Sequence, residues 1–387
     1  MDAVIYSLIS ITAETSVLAK ELRQNKKRKY EELSLALSKK MNRTKRQKIE
    51  NYVEDIVFSY SLDDFQSHFR LSRNSTEEVI KLINTTRNEK KMGRPSISTD
   101  KEVLLSIWTL ANQESFRGIS DRFGLSKGHA YRSFMNFCNK MSSMLSNFIK
   151  WPSNNLDDTV HKFEQLRKIP LPGVVGCVDG THIFIKAPKK DSQSYYNRKG
   201  RHSILLQIIC DAEMQIIDAF VGWPGSSNDS RVWKQSPIYN LLLQEPKKYL
   251  GNSYYLLGDS AYPLDTFLLV PFKDYGTLTI KEKTYNKRHS SVRVVVEQTI
   301  GLLKGRFRRL KYLDMENIAA MSKVVMTACI LHNLCIKKGE KDIPEDILLD
   351  NHDGDDDDDC DDFPERTHNR AAAVEKRNRI ADFLMEK

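Results

Sequence analysis

An apolar run that ends in a single acid constrains this chain more than any other stretch. Gly173 to Pro188 reads GVVGCVDGTHIFIKAP, and Asp179 is its one acidic residue. Val174 to Val178 has the length and composition of a short buried strand, and Ile183 to Ala187 continues it or pairs with it. Three later acids make sense when read back against Asp179: Asp229 in SSNDSRVW, Asp259 in YYLLGDSAYPL and Glu297 in RVVVEQTIGLLKGRF. Together they point to a metal-dependent phosphodiester site.

The segments around those acids have a definite order. Ser203 to Cys210 and Gln215 to Val221 flank the Asp211–Met214 turn as a hairpin. Asp229 lies near the start of a helix expected to run to about Gln244, where Pro246 ends it. Tyr254 to Leu257 is another buried strand with Asp259 at its carboxyl end. Tyr262 to Leu269 is a possible strand, a basic loop follows to Arg288, and a long helix is expected from about Ser290 to Phe307. This is the order of an α/β, ribonuclease-H-like mixed sheet with flanking helices. In it the first and fourth strands lie side by side, so Asp179 and Asp259 are expected at neighbouring strand ends. Like charges that close raise each other's pKa unless a cation joins them, and hard oxygen ligands suit Mg²⁺ or Mn²⁺. On the long helix Glu297 shares a stripe with Arg293, Lys304 and Arg308, the acid suited to an ion and the bases to a DNA backbone. Asp229 is a metal candidate or a helix cap, and His182 is read as structural rather than as a ligand.

Upstream, Ile56 to Ile83 reads as two short helices, the second capped by Ser75 or Thr76. Asn88 to Ser98 reads as a linker. Asp100 to Met141 then supplies helix, Gly124–Leu125 turn and a helix capped by Ser126, the plan of a helix-turn-helix. Its readers of base or phosphate would be Lys127, His129 and Arg132. The expected organisation is a basic N-terminal region (1–50), a small all-helical domain with the helix-turn-helix (51–150), a nuclease domain (171–338), and an acidic tail with a short C-terminal helix (339–387).

Charge supports a polyanionic partner. The chain carries a net +9, yet Asp350 to Glu365 holds ten Asp/Glu and no Lys or Arg, so the remainder is ten charges more positive still. Such an excess suits nucleic acid. The basic clusters NKKRK (Asn25–Lys29) and KKMNRTKRQK (Lys39–Lys48) fit nuclear import or phosphate contact, and the Asp353–Asp362 run is too charged to fold alone. Six scattered cysteines without ligand spacing read as reduced thiols. No signal peptide and no run of membrane-spanning length is expected.

The motifs CVDGTHIFIKAP, YNRKGRHS, WPGSSNDSRVW, LLGDSAYPLDTFLLVPF, RHSSVRVVVEQTIGLLKGRFRRL and ACILHNLC, in this order, resemble the DDE catalytic domain of PIF/Harbinger superfamily transposases and Harbinger-derived nucleases. The resemblance covers Leu171 to Lys337 firmly, and Phe58 to Met141 more loosely through FRLSR and RGISDRFGLS. It implies a catalytic triad of Asp179, Asp259 and Glu297, with Asp229 as a further metal-associated acid. It also implies a second, Myb-like helper protein. The expected activity is metal-dependent cutting of DNA, with joining of 3′-hydroxyl ends, by a two-metal mechanism. DNA, the helper and a second copy of the chain are the expected partners, the nucleus the expected location. The alternative is a domesticated, catalytically silent nuclear DNA-binding adaptor.

Overall fold

The computed structural model describes residues 20–35, 47–86, 97–341 and 370–386. Contacts divide the chain into two units, Met1–Lys48 and Ile49–Lys387. In the first, residues 20–35 form an exposed helix, α1, that carries the NKKRK cluster. Most of the second basic cluster, most of the Asn88–Ser98 linker and the whole acidic run Asp353–Asp362 lie outside the described residues.

After a π-helical turn (Tyr52–Ile56) and a 3-10 turn (Val57–Ser59), the second unit has five helices begun by the same device. Ser61, Ser72, Ser98, Ser115 and Ser126 cap α2 (Leu62–Phe69), α3 (Arg73–Thr85), α4 (Thr99–Ala111), α5 (Phe116–Arg122) and α6 (Lys127–Ser143). Each hydroxyl accepts the backbone amide three residues on, and such a cap contributes about 1 kcal/mol. The α3 cap is thus Ser72, where Ser75 or Thr76 was expected, and the Ser75 hydroxyl instead binds the Glu340 carboxylate. Helix α4 is buried over nearly its whole length. It is wrapped by α2, α3 and α6, and Arg309 donates to the Thr109 and Glu114 carbonyls beside it. Gly124, at φ +67°, makes the turn between α5 and α6. Short helices α7 (Leu145–Phe148) and α8 (Leu156–Gln165) lead to the sheet.

Strand β1 (Val174–Ile185) is one continuous strand of 12 residues. It pairs antiparallel with β2 (Ser203–Cys210), which pairs antiparallel with β3 (Ile216–Pro224), as the expected hairpin. Helices α9 (Asp229–Gln235), α10 (Pro237–Gln244) and α11 (Pro246–Leu250) replace the single helix expected after Asp229. Ser236 and Pro237 break it, the serine capping α10 and the proline occupying its first turn, where a missing N–H costs nothing. Strand β4 (Tyr255–Leu257) then lies parallel to β1, with β5 (Leu268–Leu269) parallel beyond it. The order is β3-β2-β1-β4-β5, a mixed sheet flanked by helices and consistent with the ribonuclease-H-like expectation.

The long helix, α12 (Ile280–Arg306), starts ten residues before the expected Ser290. Its start is a capping box: Thr279 accepts the Glu282 amide while Glu282 reaches back to the Thr279 amide. A T-x-x-E sequence signals that start, and it was masked by the basic residues around it. After α12, β6 (Tyr312–Leu313) pairs with the far end of β1. Helix α13 (Ile318–Lys337) packs against α6 and β3, and α14 (Arg370–Met385) against α12.

Helix α13 is long and apolar enough to cross a membrane by length and composition, contrary to the expectation that no run approaches that length. It is 67% buried inside the fold. Its Asn333 holds both the amide and the carbonyl of Ile216, at 2.8 and 2.7 Å, and His332 Nε2 donates to the Met214 carbonyl at 2.9 Å. These two residues fasten the β2–β3 hairpin to α13. Burial pushes the His332 imidazole down to about 3, so its contribution is present above the ordinary histidine range and is lost as pH falls towards that value. Replacing it by Gln, which can also donate to Met214, should remove about 2 kcal/mol of the stability lost between pH 7 and pH 5. Urea denaturation at both pH values reads this as the difference between the two proteins. Five cysteines are free and buried as expected, and Cys360 lies outside the described residues.

Candidate active site

Asp179 sits in the middle of β1, not at the end of a strand as expected. What ends near it is the pairing. The last β1–β4 pair is Cys177 with Leu257, and β6 takes up the same edge only at Phe184 with Tyr312. Between these points, among the described residues, β1 has no strand on that edge, which opens the sheet beside Asp179. Asp259 follows Leu257 by two residues as Asp179 follows Cys177, so the two acids occupy the same register at the mouth of this gap. The Asp259 Oδ1 accepts the Ala261 amide at 2.9 Å, which sets the turn leaving β4.

Asp229 enters from the opposite face. Asn228 caps α9, its Oδ1 accepting the Arg231 amide at 2.9 Å. Asp229 is therefore the first helical residue and not the cap. Its carboxylate lies directly over Gly180: a Cβ placed there would overlap Asp229 Oδ1, and would stand 3.6 Å from the Tyr262 hydroxyl. Glycine at 180 is thus what lets α9 and the turn after β4 bring their polar groups down onto β1.

Glu297 arrives on α12, whose Val292, Val295, Val296, Thr299, Ile300 and Leu303 are buried. One turn earlier, Arg293 forms an ion pair with Glu297 and a second with Asp179 Oδ2 at 3.3 Å. The side chains of Arg293 and Asp179 are each 16% exposed and that of Glu297 47%. The stripe expected to face DNA therefore turns Arg293 inward, as the link between two of the acids. Lys304 lies further along α12. Arg308 falls in the turn beyond it, and its carbonyl accepts from Gln113.

Electrostatics show how tightly these groups are gathered. Burial pushes Asp179 up to about 8; the Arg293 guanidinium opposes this, and the charges of Asp259 and Asp229 add to it. Burial opposes the Arg293 charge, but Asp179 and Glu297 outweigh it and its pKa rises. Tyr262 is raised well above the ordinary tyrosine range by burial, then by Asp229, Asp179 and Asp259. Its ring packs edge-on against Trp233, centroids 6.2 Å apart, while its buried hydroxyl has no hydrogen-bond partner among the described residues. In the sequence Tyr262 stands only as the first residue of a possible strand. The signal available was its place three residues after Asp259 in GDSAYP.

As the side chains stand, no three His, Cys, Asp or Glu among the described residues are close enough to hold an ion. The donor set nevertheless suits a hard divalent cation: carboxylate oxygens, that of Asp179 pushed up by burial and by the neighbouring acids, and a buried phenol beside them. Arg293 supplies the positive charge in this arrangement.

The other expected site residues stand elsewhere. Lys127, His129 and Arg132 lie in the first two turns of α6, with Lys127 and Arg132 exposed. That helix packs on α4, α5 and α13. His182 Nδ1 is 2.9 Å from the Ser203 hydroxyl, a contact that ties β1 to β2.

Residues 178–333 match the family described as DDE superfamily endonuclease, a span from Val178 to Asn333 that contains all four acids. The chain is 27% identical over 308 residues to "Protein ALP1-like" of Arabidopsis thaliana, covering 75% of this chain and 74% of that one. It is 28% identical over 288 residues to "Putative nuclease HARBI1" of Rattus norvegicus and of Homo sapiens, covering 72% of this chain and 81% of each relative. No solved structure matches the chain.

Proposed function

We propose that this chain, which carries a DDE superfamily endonuclease domain of the PIF/Harbinger kind, cuts phosphodiester bonds in DNA by divalent-metal chemistry. The observation that supports this most is the convergence of Asp179, Asp229 and Asp259 from three elements onto one opening in the sheet, around a glycine that a side chain would block.

Asp179 and Asp259 would hold Mg²⁺ or Mn²⁺, two ions in the full reading, with Glu297 and Asp229 completing the ligands. The metal, when bound, supplies Lewis acidity at the scissile phosphate and an activated water or DNA 3′-hydroxyl. The chain's residues do the rest. The buried floor of β1 and α12 keeps Asp179 in a poorly hydrated setting, where its charge acts strongly. Arg293 balances the carboxylates before loading, and afterwards is placed to meet a phosphate oxygen. Lys304, further along α12, and Arg308, in the turn beyond it, would meet the DNA backbone.

The α5–Gly124–α6 segment is proposed as a helix-turn-helix, with Lys127, His129 and Arg132 at the DNA. Action in the nucleus, a Myb-like helper, a homo-oligomer and joining of 3′-hydroxyl ends belong to the same proposal. Incubated with supercoiled plasmid, the full chain should nick or linearise it in Mn²⁺ or Mg²⁺ and leave it intact in EDTA. Cleavage that persists in EDTA would overturn the metal reading. DNA binding without cleavage in either condition would favour the silent adaptor.

A further inference from the structure

We propose that Tyr262 is a positioning residue for the metal site, its hydroxyl donating to the Asp229 carboxylate when an ion draws that carboxylate in. The inference rests on the metal-dependent reading above and goes beyond it, because it assigns a role to a neutral residue outside the acidic set.

Three observations carry it. Tyr262 is only 3% exposed, and its hydroxyl finds no hydrogen-bond partner among the described residues. A buried hydroxyl left in that state is unfavourable, and a bond to a ligand carboxylate would relieve it. Second, the hydroxyl and Asp229 Oδ1 hang over the same point above Gly180, the former 3.6 Å from it and the latter in overlap with it. The two oxygens are therefore neighbours above Gly180, within reach of each other through a turn of the Asp229 side chain. Third, the ring is fixed: Trp233, on the same helix as Asp229, meets it edge-on, and the Gly258 backbone next to Asp259 lies against it, with 3.1 Å from a Cβ built at Gly258 to Tyr262 Cγ. The phenol is thus braced between the two segments that present Asp229 and Asp259. A ligand carboxylate with one oxygen on a metal and the other held by a fixed donor is oriented and strengthened as a ligand, and losing such a partner typically weakens metal binding about 10–100-fold.

Tyr262→Phe keeps the ring and its packing and deletes only the hydroxyl. Mn²⁺ binding to the full chain, measured by isothermal titration calorimetry, should weaken about tenfold in the variant. Melting in EDTA should be unchanged or slightly higher, because an unsatisfied group has been removed. Equal Mn²⁺ affinity in the two proteins overturns the proposal. So does a variant that melts well below wild type in EDTA, since the hydroxyl would then already be bonded without metal. Failure of the wild type to bind Mn²⁺ at all would instead defeat the underlying metal reading.

Discussion

Asp179→Asn is expected to abolish metal-dependent cleavage, by about a thousandfold or more, while the protein stays folded. Losing one preorganised charge-stabilising group costs on the order of 10²–10³ in rate, and Asp179 is also expected to help assemble the metal site itself. The fold has little to lose. Burial already resists the Asp179 charge and holds its pKa at about 8. A carboxyl whose folded pKa is raised favours the folded state when protonated, so its ionisation weakens the fold progressively as pH rises from about 4 to about 8. Asparagine, neutral throughout, removes that penalty, and Arg293 keeps Glu297 as a partner. In EDTA at pH 8 the variant should therefore melt no lower than wild type. A large drop in melting temperature would mean that the Asp179–Arg293 pair holds the fold together and is not chiefly a functional constellation.

Gly180→Ala is the second change with a large expected effect, and here the cause is a single methyl group. Gly180 is absent from the positive-φ positions, so its backbone accepts alanine without strain. The new Cβ overlaps Asp229 Oδ1 and lies 3.1 Å from Asp229 Cγ. The short aspartate chain, anchored in the first turn of α9, has to give way. A displacement near 1 Å in a catalytic constellation can cost about 100-fold in rate, and that is the loss expected in single-turnover cleavage. Stability should change little, since a side chain moves and the backbone does not. Wild-type cleavage by Gly180→Ala would remove Asp229 from the site.

The sequence made the sheet legible because its signals are local: the apolar run before Asp179, the hairpin around Asp211–Met214, and the short apolar strand before Asp259. From those, the adjacency of β1 and β4 followed by strand order, and the shared register of Asp179 and Asp259 is its outcome. The extent of elements was less legible. The residues alone leave open whether Ile183 to Ala187 continues the strand of Val174 to Val178 or pairs with it; β2 and β6 pair with β1 on either side beyond Asp179 and carry one strand to Ile185. The basic stretch before Ser290 reads as a loop, yet Thr279 and Glu282 cap a helix through it. Two features of the site depend on tertiary placement alone. Arg293 lies on the same helical stripe as Glu297, but only the fold shows that the stripe faces Asp179 and that the arginine binds both acids. Tyr262 is an ordinary core tyrosine in sequence, and becomes notable only because its hydroxyl ends unpartnered among three carboxylates.

The central claim is that the acids around Gly180 form one metal-dependent cutting site. Its most direct test is single-turnover plasmid cleavage in Mn²⁺ by wild type beside Asp259→Asn, with both proteins shown by circular dichroism to be folded. Cleavage by the wild type, lost in Asp259→Asn, is the predicted result. Equal cleavage by the two proteins would contradict it.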